Sequence, residues 1–147
     1  MNSLFVGLMQ FAFIAAPSPS DGLVHFMPYR EAAQQSRAHQ KLMLLYFTDP
    51  HCGPCRALEN QVFANPKAAA TINSGFFPVK VVVNGPKPVP AETRRLTRQF
   101  GVQGGPSVLI VSPSGSELRR FGWSTRTEII GILNHYAFTQ GAPEKAP

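Results

Sequence analysis

The chain has few cysteines, little charge and no long apolar run, and each shortage removes a class of protein. Two cysteines in 147 residues cannot staple a small secreted fold. They make one redox pair, or half of a metal site. Zinc wants a full tetrahedral set of ligands. No other cysteine is available, and His25, His39, His51 and His135 lack HxxxH-type spacing. A metal site is therefore not expected, and neither is a bound cofactor. Charged residues are 15% of the chain, with a net charge of +6 and no basic run. The densest cluster, Arg94, Arg95 and Arg98 on one predicted helix, reads as a solvated helix face rather than a nucleic-acid patch. The longest apolar stretch, Leu4 to Ala16, is 13 residues interrupted by Gln10, short of the roughly 20 that a membrane span needs. There is no internal repeat and no low-complexity segment.

With 44% hydrophobic residues, a chain of this length is expected to form one domain with a real core and to act as a monomer. The amino-terminal apolar stretch has the length of a signal-peptide core. It departs from the pattern in two ways. No Lys or Arg precedes Arg30, and Pro17 follows Ala16, which leaves Ser18-Pro19-Ser20 as the small-residue cleavage site. Residues 1–20 are read as an export signal or an uncleaved N-terminal membrane anchor. That implies a periplasmic or secreted protein, the alternative being a cytoplasmic one with an N-terminal extension. Residues 21–140 form the domain and 141–147 a polar tail.

Within the domain, Leu23–Met27 reads as a short first strand and Arg30–His39 as a helix of good helix formers. Lys41–Thr48 is almost continuously apolar, as in a strand covered on both faces. Arg56–Phe63 reads as a helix, and Asn65-Pro66 breaks it before a further turn or two over Lys67–Ile72. Phe76–Val83 is the next strand, followed by a proline-rich loop from Asn84 to Pro90. Ala91–Phe100 is a helix with Leu96 and Phe100 on one face. Val102–Val111 and Glu117–Trp123, joined by Ser112-Pro113-Ser114-Gly115, read as an antiparallel hairpin. Thr125-Arg126-Thr127-Glu128 is a capping box opening the last helix. Helices between the early strands imply parallel strands with crossovers. The result is an α/β fold with a mixed central sheet flanked by helices.

The residues that carry chemistry are Cys52-Gly53-Pro54-Cys55, between the apolar strand and the helix that follows. The first helical turn has unpaired N–H groups and a positive dipole end, both of which favour a thiolate. Pro54 suits that turn, where its missing N–H costs nothing. The motif matches the thioredoxin active site letter for letter, and the chain resembles the thioredoxin-like family over residues 40–135. The resemblance implies the thioredoxin fold and thiol–disulfide exchange. Cys52 would be the nucleophile and Cys55 the resolving cysteine, acting on protein disulfides or dithiols with an upstream thiol electron donor. It also implies that Pro106, some fifty residues on, is a cis-proline lying against the disulfide, with Gly105 offering backbone hydrogen bonds to bound substrate.

Several positions depart from that family. His51 replaces the tryptophan before the first cysteine; as a cation it would stabilise the Cys52 thiolate. Tyr46 occupies the strand position of a buried aspartate that helps deprotonate the resolving cysteine. Lys80 falls where the family places a lysine beside the site. Gly105 replaces a branched residue, from which a wider groove is expected. Reduction of protein disulfides is the reading that Cys-Gly-Pro-Cys favours. The alternatives are a thiol oxidase or isomerase, or a non-catalytic thioredoxin-like binding module with a structural disulfide.

Overall fold

In the computed structural model, residues 23–140 are described; the expectations for residues 1–20 and 141–147 fall outside them. The element order is α1 (Tyr29–His39), β1 (Met43–Thr48), α2 (Gly53–Leu58), a π-helical turn (Glu59–Phe63), α3 (Pro66–Gly75), β2 (Phe77–Val82), α4 (Ala91–Gln99), β3 (Ser107–Val111), β4 (Glu117–Phe121) and α5 (Arg126–Thr139). The four strands form one sheet in the order β2-β1-β3-β4. β1 and β2 are parallel, while β3 is antiparallel to both β1 and β4.

β1 is buried along its whole length. Its side chains alternate between two cores, as the pleat requires. Met43, Leu45 and Phe47 pack with Ala32, Ala33, Leu96 and Phe100 under α1 and α4. Leu44 and Tyr46 pack with Leu58, Val62, Phe63, Ile72, Ile129 and Leu133 under α2, α3 and α5. Each large apolar side chain so buried is worth about 1.5–3 kcal/mol. Two-sided burial therefore explains why this segment reads as an unbroken apolar run.

Leu23–Met27 is not a strand. The Met27 N–H reaches the Pro78 carbonyl at 2.9 Å, but Pro78 has no N–H to add on that edge, and no ladder forms. The Asn73 side chain satisfies the segment instead, accepting from the His25 N–H and donating to the Leu23 carbonyl, both at 2.9 Å. The helix expected over Arg56–Phe63 begins earlier, at Gly53, and its second half widens into the π turn, closed by the Ala64 N–H on the Glu59 carbonyl at 2.8 Å. Asn65 then starts a new helix, its Oδ1 accepting from the Lys67 and Ala68 N–H groups at 3.1 Å each. α3 runs on to Gly75, three residues past the Ile72 its apolar pattern implies. Thr125 Oγ1 accepts the Glu128 N–H at 3.3 Å and opens α5.

α3 and α5 meet at Gly75, where a Cβ would come within 2.6 Å of Ala137 Cβ. Gly131 on α5 has open space around it. Gly75→Ala should therefore destabilise the fold by about 1–3 kcal/mol through overpacking. Gly131→Ala should stabilise it by roughly 0.5–1 kcal/mol, since Gly is a poor helix-interior residue. Denaturant midpoints measure both; equal shifts would contradict this packing.

Candidate active site

The site sits where β1 ends and α2 begins. Cys52 is the N-cap of α2, with extended backbone (φ −104°, ψ 110°), and its Sγ accepts the Cys55 N–H at 3.1 Å. Gly53 and Pro54 fill the first turn, both exposed. Cys52 and Cys55 are joined as a disulfide with their Cα atoms 5.2 Å apart. The two sulfurs differ in access. Cys52 is half-buried at the helix start, whereas Cys55 is 1% exposed.

Gly105 lies against Cys55. The Gly105–Pro106 peptide bond is cis. A Cβ on Gly105 would come within 3.0 Å of Cys55 Sγ, of the Phe47 carbonyl oxygen and of Thr48 Cα. The expectation of a wider groove at Gly105 is thus corrected. The room that a branched side chain would need is already filled, because the loop backbone packs directly on Cys55 and the end of β1. Ser107 Oγ braces the loop by donating to the Gly104 carbonyl at 3.1 Å.

On the other side of Cys55 is a polar cluster that no local pattern announces. Tyr46 is fully buried, and its hydroxyl lies 2.9 Å from Thr48 Oγ1, 3.2 Å from Glu59 Oε1 and 3.4 Å from the Cys55 carbonyl. Burial is the main cause that pushes this phenol up to about 12, so it is a neutral donor at ordinary pH. Lys80, on β2 directly opposite Tyr46, donates to Glu59 Oε1 at 2.8 Å. Its Nζ stands 5.8 Å from the Tyr46 ring centroid. Glu59 is therefore the carboxylate on the cleft that Cys55 lines, delivered by the π turn rather than by β1. One signal could have found it: Glu59 is four residues after Cys55, on the same helical face.

These groups open on a cleft of about 180 Å³ lined by Asp49, Cys55, Arg56, Glu59, Lys80 and Val82, among others. His51 is exposed, and its backbone N–H donates to Asp49 Oδ1 at 2.9 Å. The structure so brings Gly105, with the cis bond to Pro106, to Cys55, and puts Lys80 on the cleft that Cys55 lines. Among the described residues, no group of three or more His, Cys, Asp or Glu is placed to share a metal ion. Among the same residues, no helix is long and apolar enough to cross a membrane.

Known proteins resemble this chain in sequence and in fold. The thiol:disulfide interchange protein DsbD 2 of Pseudomonas aeruginosa is 30% identical over 111 residues, which is 76% of this chain and 18% of the relative. The chain thus spans under a fifth of that protein's length. A thioredoxin from Thermus thermophilus superposes with a TM-score of 0.67 at 28% identity, over 81% of this chain and 91% of that one. The oxidised C-terminal domain of DsbD from Neisseria meningitidis superposes with a TM-score of 0.58 at 21% identity, over 73% and 90% respectively, a likeness of fold. The family model of the thioredoxin-like domain matches residues 29–137, from the first turn of α1 almost to the end of α5. The chain belongs to the thioredoxin-like domain family.

Proposed function

We propose that the protein is a thiol–disulfide oxidoreductase that reduces protein disulfides through Cys52 and Cys55. The observation that carries this reading is the asymmetry of the pair: one sulfur reachable at a helix start, the other buried beside a carboxylate. In the reduced protein the Cys52 thiolate attacks one sulfur of a target disulfide. The target's other sulfur leaves as a thiolate and takes a proton from water, and a mixed disulfide remains. Cys55 loses its proton, and its thiolate attacks Cys52 Sγ. The second target sulfur leaves with the electron pair. Two electrons have passed to the target, and Cys52–Cys55 is a disulfide that an upstream thiol donor must reduce.

Glu59 is the base in this scheme. It lines the cleft that reaches Cys55, and Lys80 and Tyr46 hold one of its oxygens. A carboxylate so placed can accept the Cys55 proton across one solvent molecule, the reach that general-base catalysis requires. Gly105 and Pro106 form the rim on which an extended target segment would lie. His51, beside Cys52, favours the thiolate when protonated. The relatives' own names, thioredoxin and thiol:disulfide interchange protein, support the same class of chemistry. We place the protein outside the cytoplasm, in the periplasm or secreted, on the strength of the apolar Leu4–Ala16 stretch.

The reduction potential of the Cys52–Cys55 pair against glutathione tests the direction. A reductase should lie near about −270 mV, and a value near about −120 mV would make the protein an oxidant instead. Cys55→Ser should accumulate mixed disulfides through Cys52, visible as mobility shifts on non-reducing gels; a binding module with a structural disulfide would accumulate none. In the same trapping experiment Glu59→Gln, with both cysteines present, should slow resolution of the mixed disulfide about tenfold or more at neutral pH. The loss should shrink as pH rises and hydroxide deprotonates Cys55, whereas a pH-independent loss would assign Glu59 a structural part only. Cell fractionation should find the mature chain outside the cytosol, with an N-terminus beyond Ala16 if the signal is removed; a cytosolic full-length chain would overturn the export assignment.

A further inference from the structure

Asp49 is the first residue after β1 and is tied down from three directions. Its carbonyl accepts the Cys52 N–H at 3.2 Å. Its Oδ1 accepts the N–H of His51, the residue before the nucleophile, at 2.9 Å. Its Oδ2 accepts from the Asn84 side chain, just past the end of β2. Thr48 pairs with Val82 across the two strands, and the Val83 N–H donates to the Thr48 carbonyl at 2.9 Å. Asn84 is therefore presented to Asp49 by the sheet itself. The turn that bears Cys52 is wound around this carboxylate. None of these contacts is needed to close the disulfide or to hold the cis-proline loop.

We propose that Asp49, held by Asn84, is a positioning residue that fixes one negative charge beside Cys52 and so keeps the Cys52–Cys55 pair more reducing than the bare turn would be. The inference deepens the oxidoreductase reading and rests on it for its meaning in catalysis. A fixed anion beside a thiol disfavours its thiolate. A less stable thiolate favours the disulfide form at equilibrium and makes the dithiol the stronger reductant. Asn84 is the main cause, and the His51 N–H the next, that hold the Asp49 carboxyl below the usual carboxylate range. The anion is thus present throughout the neutral range. The charged groups that share its surroundings are His51 on the same turn, Arg56 and Glu59 from the helix after the cysteines, and Lys80 from β2. His51 and Asp49 oppose each other: the imidazolium favours the thiolate and the carboxylate does not. The carboxylate is the one held by hydrogen bonds, so it sets the baseline.

The decisive variant is Asp49→Asn. Its Oδ1 can still accept the His51 N–H, and Asn84 can turn its amide to meet the new NH₂ group, so the turn is kept while the charge is lost. The thiol pKa of Cys52, read from the pH dependence of alkylation in the reduced protein, should fall by about half a unit. The equilibrium with glutathione should move about threefold toward the dithiol, the same shift in another measure. Both differences should shrink between low salt and about 1 M salt, where exposed charges are screened within about 3 Å. Asn84→Ala keeps the charge but frees the carboxylate; it should give a smaller shift of the same sign, and it carries the test if Asp49→Asn does not fold. An unchanged or raised Cys52 pKa in these variants overturns the proposal, as does a shift indifferent to salt. If the unaltered pair does not exchange with glutathione, the oxidoreductase reading fails; the alkylation pKa still decides whether Asp49 tunes Cys52.

Discussion

Everything at the site follows from the two-sided burial of β1. Side chains of Met43, Leu45 and Phe47 are committed to one core and those of Leu44 and Tyr46 to the other. A slip of one residue would exchange the two sets, so the register is fixed by packing. That register fixes the neighbours in turn. Tyr46 stands opposite Lys80 and Thr48 opposite Val82 on the parallel side. Phe47 stands opposite Ser107 on the antiparallel side, which brings the preceding Gly105 and Pro106 to the end of β1. The cysteines enter immediately after that end. Strand pairing therefore gathers the cysteine turn, the cis-proline loop and Lys80 before any polar contact is made.

Tyr46 shows how the interior accommodates this chemistry. Its ring packs edge-on to Phe63 with centroids 4.9 Å apart, and Phe26 completes the cluster at 6.3 Å from Tyr46 and 5.7 Å from Phe63. A carboxylate at this position would face an apolar core, where an unpaired charge costs several kcal/mol. The phenol brings only a hydroxyl inside, and that hydroxyl meets Thr48, Glu59 and the Cys55 carbonyl. The negative charge sits one helical turn past Cys55 on a half-buried Glu59, paired with Lys80 at 2.8 Å. Such a pair is worth about 1 kcal/mol or less to stability. The pair sits on the cleft, so the core stays apolar.

Much of this was legible in the sequence. The Cys-Gly-Pro-Cys motif at the strand–helix junction, the buried central strand and the capped last helix are local patterns and stand where their patterns placed them, while the hairpin is shorter than read, its strands running over Ser107–Val111 and Glu117–Phe121. Leu23–Met27 was misleading because strand character depends on a partner, and Pro78 cannot complete the ladder. The π turn has no sequence signature of its own, so the carboxylate it delivers to Tyr46 could be suspected only from its four-residue spacing to Cys55. Gly105 looked like added space because sequence shows a missing side chain but not a backbone that has moved in. The Asp49–Asn84 contact joins residues 35 apart in sequence and depends on strand pairing, which no local window contains.

The two carboxylates divide the site between the two sulfurs. Asp49 is bound to the N–H of His51, the residue before Cys52, on the exposed side, where hydrogen bonds and not burial hold it. Glu59 is on the Cys55 side, between a buried phenol and a lysine. On the proposed mechanism the sulfurs need opposite treatment. Cys52 must be a competent thiolate without becoming so stable that it no longer gives up electrons. Cys55 stays protonated until the mixed disulfide forms and must then lose its proton quickly. A fixed anion beside the first and a proton acceptor beside the second meet those two needs. The two carboxylates line the same cleft beside Cys55 and are held by different partners, Asp49 by Asn84 and the His51 N–H, Glu59 by Lys80 and Tyr46. One acid before the cysteine turn in the chain and one after it thus let one short motif, on the proposed mechanism, present two different thiols.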